Sequence, residues 1–136
     1  MKRKTPPVLL LILLLCALPV LFAGESVAPQ AQARELLRVK TPRAETVAET
    51  LRLLTVREGV RGWDERAFLY AELLLKTANE NKPATAAAQT AFQRLADKGA
   101  APWNHRGQIG VLRLRAQNEN EWEGAARELE RLVGTW

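Results

Sequence analysis

The sequence predicts an all-α protein, with antiparallel helical hairpins standing behind an N-terminal apolar helix that acts as a signal or anchor. Three observations predict it. A basic start, Met1-Lys2-Arg3-Lys4, leads into an uncharged run from Val8 to Ala23. Beyond it, apolar residues recur three and four positions apart between Pro, Gly and Asn punctuation, the period of helices with one buried face. Two segments also echo one another forty residues apart.

The apolar run VLLLILLLCALPVLFA has 16 residues. A spanning helix takes about 20, and the core of a secretory signal about 7–15, so the run stands between the two. Pro19 would kink a helix near its end, which suits a cleaved leader. Ala31-Gln32-Ala33 is a small-x-small site ten residues beyond the run, and Leu21-Phe22-Ala23 a nearer one with a bulky first residue. Cleavage and retention as an anchor are both compatible with this arrangement. The basic residues favour a cytoplasmic amino terminus for an anchor, and either fate carries residues 34–136 out of the cytoplasm. The expected organisation is a signal peptide or anchor over 1–23, a polar tether over 24–33, and one small helical domain over 34–136.

Composition excludes much chemistry. The only cysteine, Cys16, follows Leu15 rather than a small residue and reads as an ordinary apolar leader residue, not a lipid-attachment site. The exported part then has no thiol and no disulfide, which suits an oxidising compartment. Removing Lys2, Arg3, Lys4 and Glu25 leaves 17 basic and 14 acidic groups. They are interspersed rather than striped, so no nucleic-acid partner is expected. His105 is the single histidine, too few ligands for a zinc site and no basis for a triad. The acidic residues near the end, Glu119 to Glu130, read as a solvated face, with Arg127 and Arg131 four and eight residues beyond Glu123 in support of i,i+4 pairing. No phosphate loop or nucleophile elbow is present. Catalytic, cofactor-binding and metal residues are therefore expected to be absent.

The elements follow in order. Thr41-Pro42 offers a cap and a first-position proline, and Val47, Leu51 and Leu54 then share a face, which predicts a helix over 42–58 with a short one over 34–40 before it. Asp64 is the expected cap of the next helix, with Trp63 and Phe68 at the spacing of a hydrophobic staple. Leu69, Tyr70, Leu73, Leu74 and Leu75 cover more than one stripe, so this should be the most buried helix. Pro83 opens an alanine-rich helix with Ala84, Ala88, Ala91, Phe92 and Leu95 for packing, and Gly99 suits its end. Pro102-Trp103-Asn104 restarts the pattern. Residues 108–115 are open to helix or strand, because Gly107 and Gly110 each cost a helix about 1 kcal/mol relative to Ala. Asn120 and Glu123 resemble a capping box ahead of a last helix packing Ala126, Leu129, Leu132 and Val133.

Trp63-x-x-Arg66-Ala67-x-x-Tyr70 aligns with Trp103-x-x-Arg106-Gly107-x-x-Gly110, and Ala91-Phe92-Gln93-Arg94-Leu95 answers Glu128-Leu129-Glu130-Arg131-Leu132. On these residues the chain resembles the tetratricopeptide-repeat family, whose first helix follows W-x2-L-G-x2-Y. Trp63, Ala67 and Tyr70 match that half, Trp103 and Gly107 match it partly, and Ala88-x3-Phe92 and Ala125-x3-Leu129 supply the small-then-bulky step of the second. Arg66 and Arg106 depart from the family's Leu, and Gly110 from its Tyr. The resemblance implies helical-hairpin units at about 63–99 and 103–134, with those nine matching residues as the repeat core.

The expected function is non-enzymatic: an interaction or scaffold module exported to, or anchored at, the bacterial inner membrane, whose periplasmic helical domain docks a protein partner. Stacked hairpins present surfaces suited to that. Trp122 and Trp136 are the candidate partner-binding residues, because neither has a place in the repeat core and tryptophan anchors interfaces. The alternative is a small accessory subunit of a membrane complex, associated with the bilayer through 8–23.

Overall fold

The computed structural model describes residues 28–78, 81–118 and 120–136. The apolar run, Cys16 and residues 24–27 of the tether lie outside them. The described residues form six helices and no strand: α1 Pro29–Arg38, α2 Ala44–Leu54, α3 Trp63–Ala78, α4 Lys82–Lys98, α5 Trp103–Ala116 and α6 Trp122–Val133. Residues 108–115 are thus helical.

Short turns make neighbouring helices antiparallel, and the packing sorts them into two rows. The odd helices touch in succession, α1 on α3 and α3 on α5, while each even helix packs on the odd ones beside it. Among the described residues α2, α4 and α6 do not touch one another. Helices α3 and α5 start forty residues apart, at Trp63 and Trp103, and α4 and α6 also forty apart, at Lys82 and Trp122.

The core runs along α3, every residue of which is buried or half-buried. On one side Ala33 and Leu36 of α1 and Val47 and Leu54 of α2 meet Leu69 and Leu73 of α3. On the other, Ala71 of α3 meets Ala88 and Phe92 of α4, with Val111 and Leu114 of α5 against them. Phe92, Leu54, Leu73 and Leu95 are fully enclosed, and burial of such side chains is worth about 1.5–3 kcal/mol each. Among the described residues the one buried polar residue of the core, Thr50, satisfies itself by donating to the Thr46 carbonyl at 2.8 Å.

Several local expectations are corrected. Helix α1 starts at Pro29, inside the stretch read as a tether, because Ala33 and Leu36 acquire a buried face only against α3. Helix α2 is shorter than 42–58: Arg43 at its start and Thr55 at its end are extended, and no side chain caps it at Thr41. Gly59 and Gly62 instead turn the following loop with φ of 86° and 79°, a backbone region that favours glycine.

The caps differ too. Trp63 is already helical, and Asp64 Oδ1 accepts the Glu65 N–H at 2.9 Å within the first turn, so Trp63 and Phe68 do not form the predicted staple. Asn104 does the same for His105 at 2.9 Å, so the two echoing segments share their opening geometry. Asn81 caps α4 through the Ala84 N–H at 3.2 Å. Asn120 is not the cap of α6, whose cap position falls at Glu121 with no side-chain hydrogen bond. Gly99 ends α4 with a negative φ, and its role is space: a Cβ there would stand 2.6 Å from the Leu95 carbonyl oxygen. In α6 the buried small residue is Ala125, while Ala126 and Val133 are exposed and Leu129 and Leu132 half-buried.

Candidate functional site: an apolar groove over α3

Because α2 and α4 stand apart, a strip of α3 is left uncovered between them. The resulting groove has a volume of about 300 Å³. Its floor is Trp63, Ala67 and Tyr70, one helical face of α3, and its walls are Leu54 and Val56 on one side and Ala87, Thr90 and Ala91 of α4 on the other. Small side chains on α4 keep the wall low, and the aromatic edges of Trp63 and Tyr70 supply broad apolar contact with a polar tip.

Charge is confined to the rim. Arg94 Nε lies 3.1 Å from Glu58 Oε1, and Lys98 Nζ lies 3.0 Å from Glu58 Oε2. Two cations share one carboxylate, so the rim keeps an excess positive charge beside the apolar floor. These exposed pairs are worth little to stability, but they tie the 55–62 loop to α4 at that end of the groove.

The repeat-core residues divide between two environments. Trp63, Ala67 and Tyr70 line the groove and are half-buried, whereas Ala88, Phe92, Gly107 and Ala125 are enclosed. Trp103 lies between α3 and α5, its ring 5.7 Å from Phe68. The Arg106 guanidinium sits 4.7 Å over that indole and 5.5 Å from the Phe68 ring, a cation–π stack. The Arg at this position, a departure from the repeat pattern, thus packs by its plane rather than by an aliphatic chain.

Trp122 and Trp136 are not brought together. Trp122 starts α6 and is 55% exposed. Trp136 lies past the other end of α6, stacked on His105 at 4.5 Å between ring centroids and 17° between planes. Sequence reasoning missed Val56, Ala87 and Thr90 of the groove walls, and it read Leu54 only as part of a buried helix face. Only the recurrence of an Arg after Phe92 in the echoing motif singled out Arg94.

Among the described residues no three His, Cys, Asp or Glu side chains stand close enough to hold a metal ion, and no helix is long and apolar enough to cross a membrane. No protein-family profile, curated protein or solved structure matches the chain.

Proposed function

We infer that the protein is a non-enzymatic interaction module of the bacterial envelope, carried to or held at the inner membrane by its apolar N-terminal run. Its periplasmic helical hairpins, arranged as in tetratricopeptide-like repeats, dock a protein partner. The observation that carries this reading is the groove over α3, apolar on its floor and basic on its rim. The occupant it suits is an amphipathic segment of a partner that lays apolar side chains on Trp63 and Tyr70 and turns acidic groups toward Arg94 and Lys98. Helix-in-groove recognition works this way, with apolar anchors for affinity and rim charges for orientation. The two-row packing and the forty-residue recurrence of helix starts support the repeat reading.

The test is a photo-crosslinking amino acid placed at Ala67 or Ala91 in the full chain in cells, with Gln89, outside the groove, as the control position. The expected result is one discrete adduct from the groove positions, absent from Gln89, whose crosslinked peptide is amphipathic and acidic. No adduct, or the same adducts from all three positions, would overturn the reading.

A further inference from the structure

Alternate helices give the domain two distinct ends. At the proximal end α1, α3 and α5 begin and α2, α4 and α6 finish; at the distal end α1, α3 and α5 finish, at Arg38, Ala78 and Ala116, and α2, α4 and α6 begin. Several contacts tie the proximal end into one surface. Gln30 Nε2 would stand 3.9 Å from a Cβ on Gly62, Glu58 binds Arg94 and Lys98 at the end of α4, and Trp136 stacks on His105 in the first turn of α5.

We propose that this proximal end rests on an anionic lipid surface, with the 55–62 loop and Trp136 at the level of the phosphate headgroups. The inference rests on the anchored form of the reading above. Its first support is reach. Residues 24–27 are all that separate Ala23, the end of the apolar run, from Ala28 at the proximal end. Such a link extends at most about 18 Å, part of which crosses the headgroup layer. Helix α3 is about 24 Å long at 1.5 Å per residue, so the tether cannot let the domain stand on its distal end with the proximal end uppermost.

The second support is the chemistry of that end. Val60 is 43% exposed at the tip of the loop, flanked by Arg57 and Arg61, and among the described residues neither arginine meets a carboxylate. Most acidic groups there are engaged, Glu58 by Arg94 and Lys98, Glu65 by Arg34, Glu128 by Arg131, Asp64 by the Glu65 N–H and Asp97 by Gln93, while Glu130 in the last turn of α6 meets no cation among the described residues. Arginines free to meet phosphate, an exposed aliphatic between them and an indole that is 44% exposed form the mixture that suits a membrane–water boundary. The distal end carries Trp122 and basic residues as well, but the tether lets it meet the membrane only if the domain lies on its side, which would bring positions 39 and 60 to similar depths.

The experiment places a nitroxide on Val60→Cys or Val39→Cys, each with Cys16→Ser, in the full chain reconstituted without other proteins into phosphatidylcholine vesicles with or without one quarter phosphatidylglycerol. Collision with oxygen and with a water-soluble nickel chelate reads membrane proximity. The expected result is at least a twofold higher oxygen-to-nickel ratio at position 60 than at position 39 in the anionic vesicles, reduced by Arg57→Glu with Arg61→Glu. Equal, water-like ratios at both positions in a chain that resists an alkaline wash would overturn the lipid surface and leave the anchor standing. A chain removed by that wash would overturn the anchor, and the proposal with it.

Discussion

Gly110 of α5 lies directly against the ring of Phe92 of α4, so close that a Cβ on Gly110 would stand 2.6 Å from Phe92 Cε1. Phe92 is fully enclosed and also meets Phe68 edge-on at 6.3 Å, with the Arg113 guanidinium 5.7 Å above it. The ring therefore has nowhere to retreat. Gly107, one turn earlier, is similarly pressed, its missing Cβ 2.6 Å from Ala96 N. The two glycines that weaken α5 as an isolated helix are what allow α4 and α5 to approach closely.

Gly110→Ala should therefore destabilise the domain, although alanine is the better helix former by about 1 kcal/mol. Overpacking of this kind costs about 1–3 kcal/mol, and the ring leaves little room for relief. Gly124→Ala in α6 is the contrast, because its Cβ would meet only the flexible tip of Arg115 at 3.0 Å. That change should stabilise by about 0.5–1 kcal/mol. Urea midpoints of the two variants should move in opposite directions; a shift of the same sign for both would refute the close-approach account.

Trp136→Ala should cost about 0.5–1.5 kcal/mol, the worth of a stacked aromatic pair, and His105→Ala should cost a similar amount. Because the two rings act on one contact, the double variant should lose clearly less than the two single losses combined. A double-mutant cycle on thermal unfolding measures this, and strict additivity would show that the stack contributes nothing.

Filling the groove should leave the fold alone. Ala91→Trp places its ring between α2 and α4, where space is open, and stability should stay within about 1 kcal/mol of the parent. Ala88→Trp, three residues earlier on the enclosed face, should cost well over 3 kcal/mol through steric overpacking. Circular dichroism melts of the two variants distinguish a true groove from a poorly packed core.

Acid should weaken α2 and α6 through two surface pairs. Arg52 donates to both carboxylate oxygens of Glu49 at 2.7 and 3.1 Å, and Arg131 to those of Glu128 at 2.5 and 3.0 Å. These hydrogen bonds, with the attraction between the charges, hold both carboxyls below the ordinary glutamate value. A depressed folded-state value means that the contribution is present above the unfolded glutamate range and is lost as pH falls through the folded one. Both pairs are exposed, so the loss is small. NMR titration of the two carboxyls should show each midpoint return toward the ordinary value in Arg52→Gln and Arg131→Gln respectively; an unchanged midpoint in either variant would contradict the pairing.

What the sequence alone determined is local. Apolar spacing along 63–78 and 83–98, the opening at Pro83 and the arrest at Gly99 are properties of neighbouring residues, and a helix reports them before it packs. The all-α class and the burial of Ala88, Phe92 and Leu95 followed from that periodicity. The tertiary structure decided what depends on residues far apart. Ala33 looks like part of a polar tether until α3 covers it, Gly107 and Gly110 look like helix breakers until α4 needs their space, and Trp63, Ala67 and Tyr70 look like ordinary core until α2 and α4 fail to close over them. A face of a helix is buried or left open by the separation of its neighbours, and that distance is set by the side chains of three helices at once.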